Sequence, residues 1–134
     1  MIENTINIRV RYSETDQMKY VYYGNYAAYF EMGRVEWLRK FGVSYKEMED
    51  DGIMLPVINM NIKYHKPALY DDLLTLKTTL LKLPQVKIDF NFTIYNQKDE
   101  LLTTATTTLV FWDMERNKPT RAPQNLMDKI KPYF

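Results

Sequence analysis

Residues 15–26 bring a lone carboxylate, Asp16, close in sequence to Gly24 and Asn25, which read as the entry to a long helix. Asn25 fits the N-cap, because its side-chain oxygen can accept a hydrogen bond from a backbone N–H of the first turn. Such an entry presents N–H groups without intrahelical partners and carries the positive end of the helix dipole. A carboxylate near that end is a pairing that acyl-transfer chemistry can use. The acid attacks or activates water, and the N–H groups steady the oxyanion that develops. Taken alone, an aspartate in such a loop is an ordinary turn or capping residue.

Other reactive groups are scarce. Cysteine is absent, which removes a disulfide framework, a thiol nucleophile and a thiolate metal site together. His65 is the only histidine, and it shares the polar face of a strand with Asn59, Asn61 and Lys63. It reads as a strand-surface or interface residue. Glu31, Arg34 and Glu36 are spaced for ion pairs along a helix face, with Glu31 the next carboxylate in line after Asp16. There is no phosphate-cradling Gly-rich loop and no His/Asp/Glu metal cluster, so no cofactor or metal is expected. With 18 basic and 17 acidic residues there is no field for nucleic acid, and no basic stripe emerges.

The elements that must position these groups follow from periodicity. Residues 5–12 alternate, with Ile6, Ile8 and Val10 on one face, and read as a half-buried strand; 13–23 read as loop. The spacing predicts a helix over 26–41. Arg39 and Lys40 suit its last turn, and Gly42 suits the position just past its end. Tyr26, Phe30, Gly33, Trp37 and Phe41 form one apolar stripe; Ala28, Met32 and Val35 form a thinner second one. Two stripes imply a helix largely enclosed by other structure. Gly33 costs about 1 kcal/mol relative to Ala in a helix, and close approach of a neighbouring element would be a reason to keep it. Residues 44–51 read as a short helix with Ser44 as N-cap and Glu47 completing a capping box.

From Pro56 onward the period is two. Segments at 58–64, 73–83, 86–95 and 101–113 alternate or carry the β-branched content of strands, and short turns between them imply antiparallel neighbours. Residues 124–130 read as a last helical turn or two. One helix against a sheet with one apolar face is an α+β domain, and the chain, 1–134, is read as a single domain. Residues 1–4 carry no signal-peptide pattern and no apolar run approaches the ~18 residues of a membrane helix, so a cytoplasmic protein without a membrane span is expected.

Arg9, Arg11, Glu14, Thr15 and Asp16, then 21–26, then Phe30, Glu31, Arg34, Glu36 and Trp37, resemble the hotdog-fold acyl-CoA thioesterases of the 4-hydroxybenzoyl-CoA thioesterase type. Residues 62–68, Asp71, Asp72 and the Thr-rich strand are similar to that family's later strands. The resemblance implies a long central helix wrapped by a curved antiparallel sheet of about five strands, and a homodimer or homotetramer with sheets joined edge to edge. It implies hydrolysis of an acyl-CoA to a carboxylic acid and free coenzyme A. The family's catalytic aspartate falls on Asp16, as general base or as nucleophile, and its carbonyl-polarising donor falls on the backbone N–H groups at Tyr23 and Gly24. Tyr22 and Tyr26 would line the acyl pocket or pack the helix. Lys63, Lys66, Lys118 and Arg121 are the cations that could meet coenzyme A phosphates, with Lys63 and Arg121 singled out. Many members carry glycine three residues after the aspartate and some carry histidine at the position of Tyr23; here Lys19 and Tyr23 stand instead. Without that histidine, the base is Asp16 or a water it positions. An acyl-carrier-protein thioesterase and a non-catalytic acyl-CoA-binding protein of the same fold are the alternatives.

Overall fold

In the computed structural model, which describes residues 1–134, the elements follow in the order β1 (Ile2–Arg9), α1 (Asn25–Lys40), α2 (Tyr45–Asp50), β2 (Ile53–Met54), β3 (Val57–Tyr64), β4 (Leu73–Leu80), β5 (Lys87–Tyr95), β6 (Leu101–Val110), β7 (Trp112–Asp113), β8 (Lys118–Pro119) and α3 (Gln124–Ile130). Five strands make one antiparallel sheet in the order β1-β4-β5-β6-β3. Alternation turns their apolar residues to one face, and the register lines them up in rows. Ile6, Leu76, Ile94, Thr103 and Tyr64 form one row across the sheet; Ile2, Leu80, Phe90, Thr107 and Met60 form another. No helix is long and apolar enough to cross a membrane.

Helix α1 lies on that apolar face. Phe30 meets Phe92 with ring centroids 4.7 Å apart, Trp37 meets Phe90 at 5.3 Å, and the Trp37 indole donates to the Ile2 carbonyl at 3.3 Å. The close approach expected at Gly33 is present. A Cβ there would sit 2.6 Å from Thr78 Oγ1 and 2.8 Å from a Leu76 methyl. The helix ends as its sequence predicts: Gly42 takes φ 77°, and the N–H groups of Gly42 and Val43 bond to the carbonyls of Arg39 and Leu38. Ser44 caps α2, its hydroxyl accepting from Glu47 N–H at 3.3 Å.

Several expectations are corrected. Helix α1 begins one residue early, so Asn25 is its first residue and Gly24 its N-cap. The second stripe does not mark an enclosed helix, because Ala28 and Met32 are exposed and Val35 only half-buried. What widens the buried face instead is Tyr29, Arg34 and Leu38. Arg34 forms no helix-face ion pair. Its guanidinium is buried with Nε and Nη1 lacking any acceptor, burial pulls its pKa down, and Glu36 pairs with Arg39 instead. Strand β1 starts at Ile2 and stops at Arg9, short of the expected 12. Strands β3 and β4 are not neighbours: β5 and β6 lie between them, and the connection after β3 crosses the end of the sheet. A small second sheet, β2-β7-β8, has strands too short to show a period.

Replacing Gly33 by Ala should destabilise the fold by about 1–2 kcal/mol net, since overpacking against Thr78 and Leu76, at the upper end of the usual ~1–3 kcal/mol for contacts this short, exceeds the ~1 kcal/mol gained in helix propensity. Urea unfolding of the two proteins measures it; a Gly33→Ala protein as stable as the parent would refute the close contact.

Candidate active site

Asp16 sits in a three-residue hairpin loop inside the segment expected to be irregular. Asp16 N–H donates to Tyr20 O at 2.8 Å, Lys19 N–H donates to Asp16 O at 2.9 Å, and Thr15 bridges to Val21. Lys19 takes φ 66°, which closes a type I turn with one left-handed residue. That is the conformation glycine would supply, so the hairpin forms here with a lysine carrying the strain. Within it Asp16 Oδ1 accepts from Met18 N–H at 2.8 Å and from Tyr20 N–H at 3.3 Å. Asp16 Oδ2 accepts no hydrogen bond from the chain. Val21 N–H donates to Ala68 O at 2.8 Å, which pins the hairpin to the segment following β3.

The helix entry is tied to the same loop through Glu14. Its carbonyl accepts from Tyr22 N–H and from Asn25 Nδ2, each at 2.8 Å. Asn25 therefore anchors the loop rather than capping the helix. Its own N–H turns back to Tyr22 O, and Tyr26 N–H to Tyr23 O. The N–H groups of Tyr23 and Gly24 have no acceptor in the chain. At residue 24 φ is −63°, open to any residue, and a Cβ would lie 2.8 Å from the ring of exposed Tyr22, so a side chain there would push aside that ring, which packs tilted against Tyr23 at 4.6 Å.

A cleft of about 340 Å³ joins these pieces, lined by Asp16, Tyr23, Tyr26, Tyr64, His65 and Lys66 among others. The rings of Tyr26 and Tyr64 meet edge to face at 5.2 Å, and burial raises the pKa of both hydroxyls, keeping them neutral at ordinary pH. On the other side of Asp16 a shallower hollow is lined by Tyr22, Asn25 and Gln17. Lys66 at the cleft rim is paired with Glu100 at 2.6 Å, and that hydrogen bond holds the Glu100 carboxyl below its usual range.

The predicted residues therefore separate. Asp16, Tyr23 and Tyr26 share the cleft, Gly24 stands at the helix start, and Tyr22 lies on the far side of Asp16. Lys63 does not reach the cleft. Alternation along β3 turns it to the opposite face of the sheet, beside Asn61 and Thr104. Arg121 lines neither hollow; its neighbours Thr120 and Ala122 bond to Phe111 and Gln85. Glu31 is exposed on α1. His65, read as a strand-surface residue, keeps its ring on the Lys63 face, where it contacts Thr104 Oγ1 at 3.0 Å, and also borders the cleft just past the end of β3. No three His, Asp or Glu side chains converge as metal ligands would.

Residues 10–130 match the model of the thioesterase-like superfamily. The chain is 38% identical to YneP of Bacillus subtilis over 112 residues, covering 84% of this chain and 81% of that one. It is 29% identical to the acyl-CoA thioester hydrolase YbgC of Escherichia coli over 124 residues, 92% of each. Among solved structures, the DHNA-CoA thioesterase of Staphylococcus aureus is similar with a TM-score of 0.91 at 36% identity, covering 99% of this chain and 89% of that one.

Lys19→Gly should relieve a left-handed lysine worth about 1–2 kcal/mol, offset by about 0.5–1 kcal/mol of added freedom in the unfolded chain. The expected net is a small rise in thermal midpoint, read by a circular-dichroism melt; a fall of several degrees would contradict the turn assignment.

Proposed function

The chain belongs to the thioesterase-like superfamily, and from that premise we propose that it hydrolyses acyl-CoA thioesters to a carboxylic acid and free coenzyme A, with Asp16 as the reacting carboxylate. The observation that carries this is the state of the two partners beside one cleft. Asp16 Oδ1 is held by two backbone N–H groups while Oδ2 is unengaged, and the Tyr23 and Gly24 N–H groups at the helix entry are unengaged too. A thioester carbonyl lying between them would meet a base or nucleophile on one side and oxyanion donors on the other. As general base, Asp16 takes a proton from water as the water oxygen bonds to the carbonyl carbon. The tetrahedral intermediate then collapses, the C–S bond breaks, and the thiolate leaves and is protonated. As nucleophile, Asp16 first displaces the thiolate to form an anhydride, which water then opens.

Tyr26 and Tyr64 offer an apolar wall for the acyl group, with Tyr23 beside them; Tyr22 lines the hollow on the other side of Asp16. Lys66 is better placed for coenzyme A phosphates than Lys63 or Arg121, which lie outside the cleft of their own chain. A cytoplasmic location belongs to the same reading and rests on the acyl-CoA for which the Escherichia coli relative is named.

Asp16→Asn should lower kcat by about 10²-fold or more while leaving the melting midpoint within a few degrees. Thiol release from a panel of aromatic and aliphatic acyl-CoAs, and from the matching acyl-carrier-protein thioesters, reads both the role and the carrier. Full activity in Asp16→Asn would sink the assignment.

A homodimer, or a homotetramer built from it, is also part of this reading. Strand β3 is a long edge with Val57, Ile58 and Tyr64 exposed, and edges of that kind invite pairing. Light scattering at micromolar concentration should return at least twice the 16.1 kDa chain mass; a clean monomer would overturn it.

A further inference from the structure

The two halves of the site lie on different segments, the hairpin of residues 15–21 and the helix entry at 23 and 24, and Glu14 is the residue that touches both. We propose that Glu14 is a positioning residue for the thioester hydrolysis: together with Tyr29 and Asn25 it fixes the distance between the Asp16 carboxylate and the helix-entry N–H groups. This inference rests on the reading of Asp16 given above.

Glu14 immediately precedes the hairpin, at the end of a short helical turn over Tyr12–Glu14. Its carbonyl is a shared acceptor for Tyr22 N–H and the Asn25 side chain, so the last residue before the helix entry and the first residue of α1 both hang from one oxygen. That oxygen stays in place because the side chain is clamped at both carboxylate atoms. Oε1 accepts from Arg11 N–H at 2.8 Å and from the Tyr29 hydroxyl at 3.0 Å; Oε2 accepts from the Arg11 guanidinium at 3.2 Å. The Arg11 side chain is 74% exposed, so its ion pair is screened and adds little. Tyr29 is the firm end. It is buried on α1 one turn past Asn25, and burial together with the Glu14 hydrogen bond raises its pKa, so it remains a proton donor throughout the working range.

Every oxygen of the Glu14 carboxylate is thereby spent, which leaves it no capacity to react. Its effect on rate must come through geometry. Reacting groups misplaced by about 1 Å can lose on the order of 10²-fold in rate. Binding of the coenzyme and acyl parts depends on surfaces elsewhere and should change far less.

The test is steady-state thiol release by the full chain at a temperature well below each variant's melting midpoint. Glu14→Ala should lower kcat about 10–100-fold with KM within about threefold, and Tyr29→Phe, which removes one hydroxyl and no packing, about 5–20-fold with the same pattern. Glu14→Gln keeps a carbonyl that can accept from both Tyr29 and Arg11 N–H, and should recover kcat to within about threefold of the parent. If Glu14→Ala fails to fold, Tyr29→Phe and Glu14→Gln still carry the comparison. The proposal is overturned if Glu14→Ala and Tyr29→Phe lower the melting midpoint yet keep the parent kcat, or if Glu14→Gln is as impaired as Glu14→Ala. An inactive Asp16→Asn beside a fully active Tyr29→Phe would reject only the clamp, whereas an active Asp16→Asn would reject the reading beneath it.

Discussion

The approach of α1 to the sheet at Gly33 sets the geometry on which the site depends. With no side chain there, the helix rests against Thr78, Leu76 and Phe92. At that height Phe30 and Trp37 reach the rings of Phe92 and Phe90 without lifting the axis. The same docking fixes the first turn of α1. Tyr26 comes down beside Tyr64 of β3, and Tyr29 comes under Glu14. A helix held a few tenths of an ångström higher would move its N-terminal N–H groups and the Glu14 anchor together. The packed core and the proposed chemistry are thus one mechanical unit, since close-packed interiors transmit displacement rather than absorb it.

The Asp16 hairpin solves a second problem, holding a carboxylate still without neutralising it. Local backbone N–H groups engage Oδ1 and leave Oδ2 open. The arrangement costs strain, because Lys19 occupies a left-handed conformation that a side chain disfavours. Strain of that kind persists only where the surroundings over-determine it. Here the bridge from Thr15 to Val21 and the bond from Val21 to Ala68 do so from both sides.

Much of the architecture was legible in the pattern of residues. Period two located the five long strands, and the Arg39, Lys40 and Gly42 endings closed α1 where expected. Gly33 announced a close contact because a helix has no other use for glycine in its middle. What was not legible depended on pairing. Strands β3 and β4 follow each other in sequence yet lie apart in the sheet, and no local signal distinguishes that crossing from a hairpin. The second stripe of Ala28, Met32 and Val35 misled because apolar residues on one chain's surface look the same in sequence as apolar residues in its core. Alternation put Lys63 on the polar face, opposite Tyr64, and it stands there, outside the cleft that Tyr64 lines. His65 was read as a strand-surface residue and its ring stays on the Lys63 face against Thr104; its place at the cleft border comes from standing next to Tyr64 at the end of β3, which strand periodicity does not show.

Glu14 and Asp16 show what sequence types alone leave open. Both are carboxylates, two residues apart, in one loop beside one helix, and nothing in their identities divides the labour. Occupancy does. Glu14 accepts from Arg11 N–H, the Arg11 guanidinium and Tyr29, so each of its oxygens is committed to holding structure. Asp16 is shorter by one methylene, and its reach is satisfied by N–H groups of its own turn on one oxygen only. A carboxylate needs a free lone pair to remove a proton or to attack a carbonyl, and it needs an anchor so that the lone pair points one way. In this loop only Asp16 meets both conditions, because the longer neighbour has taken up the contacts that hold the loop to the helix.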